Sequence, residues 1–514
     1  MSVCTDPASV VTQRAPAHVA PVTGWRRMGA DSLLVSGSTL GCQALGVATS
    51  LLLRFALDPA QMGVWQALKM FLNYANYANL GVSKGAAREL TVALGRGDAA
   101  SARQGLDLAF TVNTLSSMVY GALLAAAGLW IGVSSGDLGR NAWTFGLLAL
   151  SVLVVVQRHV TFHVTILRCR QAFAVTSQLS LLEAALTLCV AGCSAWLWGL
   201  PGLCGGTLLV LIASLIYLKA RGAEPFAWAW NAREISRLIG MGGPILLAGA
   251  ATVLLQSIDK LMILACSSDR EFELGCYSLS LLVSGQLCGL ANMLSLVMGP
   301  RYAELFGHGG RRDRVALLAA RASELQACLL ALPAGLAIVV AVPVLGRLFP
   351  AYRLGVTPAL WLVPGAVALG LSLPANQYLV AVYRERRALA AALTGVSLAA
   401  AGNYLALAAG YGLDGVAVST SCAYLAYLAI MASISLWPQL DARGRLRYLL
   451  GMAATLAPVL GVAAGLEWIW PSDGASLGGV MVKAVLVLAA WAGAASLGWR
   501  YGGWRETWRE ERRR

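Results

Sequence analysis

The chain has 514 residues, of which 58% are apolar and only 12% charged, with a mean hydropathy of +0.67 and a formal net charge of +14. This composition excludes an ordinary soluble domain, because so few charges cannot cover the surface of a water-soluble protein this long. Apolar runs of about 20 residues recur from end to end, enough to cross about 30 Å of hydrocarbon, so the expected class is an all-α, polytopic integral membrane protein.

In chain order, residues 1–30 are polar and rich in Pro and Ala, with no separate apolar region ahead of the first full-length span. They read as a cytoplasmic tail, not a secretory signal. Spans are predicted at about 32–53, 64–81, 105–130, 141–163, 174–197 and 200–218, the last two divided at a turn over 198–201. A polar linker over 219–238 carries the helix breaker Glu224-Pro225. Spans follow at about 241–263, 275–299, 319–344, 357–380, 388–409, 413–436, 447–469 and 478–500, fourteen in all, and a basic tail closes the chain at 502–514.

The basic residues orient these spans. The N-terminus, the loops after even-numbered spans and the tail hold 31 of the 39 Lys and Arg residues, and the remaining loops hold 6. The asymmetry predicts cytoplasmic termini. The net charge then reflects topology and anionic lipid headgroups, with no call for a nucleic-acid partner.

The chain repeats itself at an interval of 212 residues. Gly63-Val64-Trp65 opens span two and Gly275-Cys276-Tyr277 opens span eight. Arg88-Glu89-Leu90 is matched by Ala303-Glu304-Leu305, and Gly95-Arg96-Gly97 by Gly307-His308-Gly309. Six spans per repeat is even, so two bundles of like orientation are expected, at 31–218 and 239–436, with two extra helices at 437–501. A substrate site between the bundles follows from that arrangement.

Several side chains stand out against the apolar background. Lys69, Asn73 and Asn76 fall on one face of span two, with Tyr77 beside them. A lysine at bilayer depth costs about 2.5–3.5 kcal/mol on insertion scales, so it normally faces a bundle interior or a wet cavity. This face reads either as a cationic, hydrogen-bonding wall or as polar glue between helices. Arg54 and Lys260 end spans one and seven at equivalent places, facing a cleft or snorkelling to headgroups. Asp259 beside Lys260 is its ion-pair partner or a proton or cation site. Glu183, mid-span in segment five, is a candidate coupling-ion site or a partner for Lys69.

His159 and His163, one turn apart, lack an evident third ligand, so no metal is expected there. Polar residues of spans nine to eleven, Gln326 and Asn403 among them, read as packing groups. The eleven cysteines include no CxxC and read as reduced, with Cys266 and Cys276 the one pair flanking a loop. No GxxxxGK[ST] phosphate loop occurs and no aqueous segment is long enough for a catalytic domain, so neither a cofactor nor enzymatic activity is expected.

Span seven ends Gln256-Ser257-Ile258-Asp259-Lys260, followed by Leu274-Gly275-Cys276-Tyr277, and span eight runs into Pro300-Arg301-Tyr302-Ala303-Glu304-Leu305. With Gly63-Val64-Trp65, Leu80-Gly81 and Gly97-Asp98 in the first half, the chain resembles the polysaccharide-exporter branch of the multidrug/oligosaccharidyl-lipid/polysaccharide (MOP) superfamily over about 30–440. That branch contains flippases of O-antigen and other lipid-linked oligosaccharides. The resemblance implies translocation of a polyprenyl-diphosphate-linked oligosaccharide across a bacterial inner membrane, for a lipopolysaccharide or exopolysaccharide, with membrane lipids and other polysaccharide-assembly proteins as further partners. Arg54, Lys69 and Lys260 would then hold the diphosphate, and Asn73, Asn76 and Tyr77 the sugars. The alternatives are a multidrug or ion antiporter of the same superfamily, and a membrane-embedded polymerase or ligase.

Overall fold

The computed structural model describes residues 25–96, 99–136, 141–222, 225–307, 312–471 and 477–501. The N-terminal tail before residue 25, the basic tail and Gly97-Asp98 lie outside the described residues. The described chain is helical without strands: α1 (Trp25–Ala56), α2 (Pro59–Tyr74), α3 (Val82–Arg96), α4 (Ala99–Ser134), α5 (Ala142–Cys169), α6 (Phe173–Leu186), α7 (Gly192–Ala220), α8 (Ala232–Leu255) and α9 (Ile258–Cys266) come first. They are followed by α10 (Arg270–Gly307), α11 (Arg312–Leu336), α12 (Val342–Leu348), α13 (Val356–Ala381), α14 (Glu385–Ala408), α15 (Gly412–Ser435), α16 (Ala442–Ile469) and α17 (Leu477–Tyr501).

Among the described residues, twelve helical stretches are long and apolar enough to cross a membrane. One of them, Phe173–Ala220, contains two of the expected spans. They part at Gly199, whose φ of 61° is left-handed backbone that glycine adopts without a Cβ clash, inside the turn expected at 198–201. The second expected span is missing from the twelve because it is broken. Asp58 caps α2 by accepting from the Gln61 N–H at 2.7 Å, with Pro59 at the first helical position. The helix then tightens into a 3-10 turn over Ala75–Tyr77. Leu80 (φ 51°) and Gly81 (φ 91°) turn the chain into α3. Span seven is broken as well: α8 stops at Leu255, Ser257 sits at φ −133°, and α9 restarts at Ile258.

The 212-residue repeat reappears in contact geometry. The turn after α5 is closed by Arg170 N–H to Ile166 O, Gln171 N–H to Arg168 O and Ala172 N–H to Leu167 O. The turn after α13 uses Val382 to Tyr378, Tyr383 to Val380 and Arg384 to Leu379, each pair 212 residues on. Gln171 and Tyr383 hold φ of 58° and 57°, an uncommon state for residues other than glycine.

One apolar core runs through both repeats, joining Leu53, Met62, Val64 and Trp65 of α1 and α2 to Leu279, Val283 and Leu287 of α10. A separate cluster unites Val82, Ala86 and Leu90 of α3 with Leu106, Leu108 and Ala109 of α4 and Leu238 of α8. The chain between α7 and α8 is strapped to α4: the Ala227 and Ala229 N–H groups donate to Asp107 Oδ1 (2.9 Å) and Thr111 Oγ1 (3.0 Å). Helices α16 and α17 are tied by Lys483, fully buried, which pairs with Glu467 at 3.0 Å and donates to the Trp470 carbonyl.

A cationic cavity between two broken helices

The breaks in spans two and seven face each other across a cavity of about 410 Å³. Asn73, Tyr74, Asn76 and Tyr77 form one wall. Gln256, Ser257, Asp259 and Lys260 form the facing one, with Ser284 and Gly285 of α10 and Tyr424 of α15 completing it. Irregular backbone at membrane depth is tolerated only where it is buried in protein or lines a cavity. Here it brings the polar ends of α8 and α9 to the site, with Tyr74 Oη and Ser257 Oγ 2.5 Å apart across the gap.

Both ends of the region around the cavity hold close helix contacts. A Cβ on Gly63 would lie 1.8 Å from the Glu271 carbonyl oxygen, and a Cβ on Gly275 would lie 1.7 Å from that of Pro59. Only glycine permits this approach of α2 to α10. On this same face Tyr352 donates to the Leu57 carbonyl at 2.7 Å and Trp143 Nε1 to Glu271 Oε1 at 2.8 Å. At the opposite face, Gly81 abuts Gly242 (a Cβ on Gly242 would lie 2.1 Å from the Gly81 carbonyl oxygen), and Arg237 of α8 pairs with Glu89 of α3 at 2.5 Å.

The six expected substrate-binding residues divide. Asn73, Asn76, Tyr77 and Lys260 line the cavity. Lys69 is one turn from Asn73 on the same face; its side chain is exposed while Leu68 and Met70 beside it are buried, and the charges of Lys260 and Arg54 act on it. Arg54 is buried and bound. It donates to the Ser50 carbonyl at 2.7 Å and to the Ser278 carbonyl at 2.5 Å, with Ser278 Oγ at 3.2 Å, so it clasps α1 to α10 behind the cavity wall.

Of the two acidic candidates, Asp259 is at the cavity and Glu183 is not. Asp259 is 1% exposed; its Oδ2 accepts from the Tyr277 hydroxyl at 3.0 Å and its Oδ1 from the Lys260 N–H at 2.8 Å. The Lys260 ammonium turns to the Gln256 carbonyl at 3.2 Å, so the two neighbours do not form the ion pair that adjacency suggested. Glu183 lies on α6 among Cys42 of α1 and Ser214 of α7, with one buried carboxylate oxygen lacking a hydrogen-bond partner. Of its two readings, the pairing with Lys69 does not occur in the structure: α6 packs on α1, α5 and α7, and Arg168 of α5 is the cation acting on Glu183.

The site also contains Arg158, which is not among the expected site residues. It is buried on α5, donates from Nη1 to Asn76 Oδ1 at 2.9 Å and from Nη2 to Asn113 Oδ1. The signal available in sequence was an arginine one residue ahead of His159 in an otherwise apolar span. His159 and His163 bond helix carbonyls through Nδ1, and no group of three or more metal-ligating side chains occurs among the described residues. Cys266 and Cys276 are both free thiols. Gln326 donates to the Ala291 and Gly370 carbonyls, and Asn403 bonds Thr420, as packing groups.

The polysaccharide biosynthesis protein family matches this chain over residues 52–345, more than half its length and all of the cavity wall from Asn73 to Gly285. The chain belongs to that family. No curated protein matches its sequence. Among solved structures, this polysaccharide biosynthesis protein is similar to the lipid II flippase MurJ in an inward closed conformation, with a TM-score of 0.67 at 12% identity over 91% of this chain and 99% of that one. It is also similar to an inward-facing multidrug resistance MATE family transporter of the MOP superfamily (TM-score 0.58, 15% identity, 82% of this chain and 98% of that one). A MOP superfamily transporter from Pyrococcus furiosus gives a TM-score of 0.56 at 14% identity, over 83% and 95% of the two chains. At these identities the likeness establishes the MOP fold.

Proposed function

We propose that this polysaccharide biosynthesis protein is a flippase that moves a polyprenyl-diphosphate-linked oligosaccharide from the inner to the outer leaflet of a bacterial inner membrane. The observation that carries the reading is the charge of the cavity. Lys260 lines it, Lys69 stands exposed on the same face as Asn73, and Asp259, the one acid in the wall among the described residues, already accepts two hydrogen bonds. Such a wall suits a diphosphate and repels the cationic drugs that a multidrug exporter carries.

With both termini cytoplasmic, as the distribution of Lys and Arg favours, the Gly63–Gly275 contact is an outer gate and Gly81–Gly242 part of an inner one. The bundles 31–218 and 239–436 rock about the cavity, the sugars meet Asn73 and Tyr77, and the lipid tail stays in the bilayer. Arg54 acts at the outer gate and contributes its charge from behind the wall. An inside-negative potential favours outward movement of two phosphate charges by about 4–5 kcal/mol per 100 mV. Asp259 and Glu183 are the candidates for ion coupling, the second because its unpartnered oxygen has room for a proton.

The test is translocation of a fluorescent polyprenyl-diphosphate oligosaccharide by purified protein in vesicles. Protein-dependent loss of leaflet protection, abolished by collapsing the potential and the ion gradients, is expected. No translocation of any lipid-linked sugar, with export of cationic dyes instead, would overturn the reading.

A further inference from the structure

Arg158 is a buried guanidinium without a carboxylate. Its two terminal nitrogens donate to amide oxygens, Asn76 Oδ1 on one side and Asn113 Oδ1 on the other, and its Nε has no hydrogen-bond partner. Asn113 returns a bond to the Arg158 carbonyl at 3.4 Å, so that amide is spent on the protein. Asn76 is not, because it lines the cavity and its oxygen is its only group with a partner. A guanidinium has five N–H donors and no acceptor, so it can face only the oxygen of each amide. This fixes the orientation of Asn76, whose NH2 is left for the cavity.

We infer that Arg158 is a positioning residue that holds the Asn76 amide with its N–H donors toward the cavity, where they bind a phosphate oxygen of the substrate. The inference rests on the proposed diphosphate substrate and extends it. Hydrogen bonds in a chain polarise one another in a low-dielectric interior, so a cation on the amide oxygen makes the N–H groups stronger donors. A buried cation lacking a counter-charge is also costly, and an anion arriving one residue away relieves part of that cost. Two cations belong to the same site, since Lys260 lines the cavity and Lys69 lies on the face of Asn73. The acid in the wall, Asp259, has both oxygens bonded, to the Tyr277 hydroxyl and the Lys260 N–H. Asn76 therefore adds donors to a site that already carries positive charge.

The test measures binding of polyprenyl diphosphate and of polyprenol, each without sugar, to purified full-length protein. Asn76→Asp keeps the side-chain shape and the oxygen that Arg158 holds, but presents a second oxygen to the cavity in place of NH2. It is expected to bind the diphosphate at least about tenfold more weakly, with polyprenol binding unchanged and the melting temperature not lowered, since the new carboxylate faces the Arg158 cation. Arg158→Lys keeps the charge, but one ammonium cannot span both amides as a planar fork does, so diphosphate affinity is again expected to fall. A structural role alone would lower stability and weaken both lipids together. Diphosphate binding at the wild-type level in Asn76→Asp, or in a folded Arg158→Lys protein, overturns the inference and leaves the flippase reading standing. A wild-type protein with no preference for diphosphate over polyprenol would overturn both.

Discussion

Gly63 and Gly275 occupy matching positions 212 residues apart, and each packs against the backbone of the helix that carries the other. Gly63 meets the Glu271 carbonyl and Gly275 meets the Pro59 carbonyl, and Pro59 and Glu271 are themselves 212 residues apart. A contact that maps onto itself in this way is what two repeats related by an axis along the bundle produce, and that axis passes between Gly63 and Gly275.

A methyl group at either position has no room to relax, since the atom it meets is backbone. Gly63→Ala and Gly275→Ala should each force α2 and α10 apart and disfavour the closed gate by about 1–3 kcal/mol. Spin labels at the exposed residues Asp58 and Asp269, in a background without native cysteines, should show a longer distance population in both variants. An unchanged distance distribution would mean that the contact does not hold the gate.

Arg54 closes the same end by a different route. Its bonds to Ser278 join α1 to α10, so Arg54→Met should remove them and expose the Ser278 groups, loosening the gate and lowering stability by about 1.5–3 kcal/mol. Arg54→Lys keeps the charge but supplies one donor site in place of a fork, and should recover only part of the loss in a thermal unfolding assay.

Glu183 and Lys69 occupy different environments, so their effects should be independent. In a double-mutant cycle of Lys69→Gln and Glu183→Gln, the interaction free energy should stay below about 0.5 kcal/mol. A larger coupling in unfolding measurements would restore the direct pair that adjacency in depth had suggested.

The α16–α17 hairpin depends on Lys483. Lys483→Met removes the ion pair with Glu467 and the bond to the Trp470 carbonyl, a loss of about 3 kcal/mol, and adding Glu467→Gln should return part of it. Limited proteolysis near residue 471 reads the loosening directly.

Much of this architecture was legible in residue order. Apolar length fixed the number and approximate limits of the spans, and the 212-residue repeat anticipated matched turns as far apart as Gln171 and Tyr383. The polar face of α2 was visible because lysine and asparagine are conspicuous in an apolar helix. The breaks were harder to see. Span seven carries no proline or glycine between Gln256 and Lys260 to announce its interruption. Arg158 was hidden for a related reason, because sequence position put it near a span end, whereas packing of α5 against the 3-10 turn turned it toward Asn76. Arg54 and Lys260 looked equivalent by repeat position, yet one is held by the opposing helix α10 and the other by the Gln256 carbonyl in the break before its own helix. The partners of a long cationic side chain depend on tertiary neighbours that spacing along the chain does not name.

The most direct measurement is complementation of a bacterial host lacking its own lipid-linked oligosaccharide flippase, comparing wild type with Lys69→Ala at matched expression. Lys69 makes no hydrogen bond or ion pair among the described residues and is exposed between buried neighbours, so its removal should not lower stability and its effect should fall on ligand binding. Surface glycan restored by wild type and lost with Lys69→Ala is the outcome the cationic cavity predicts. Equal restoration by both proteins would contradict it.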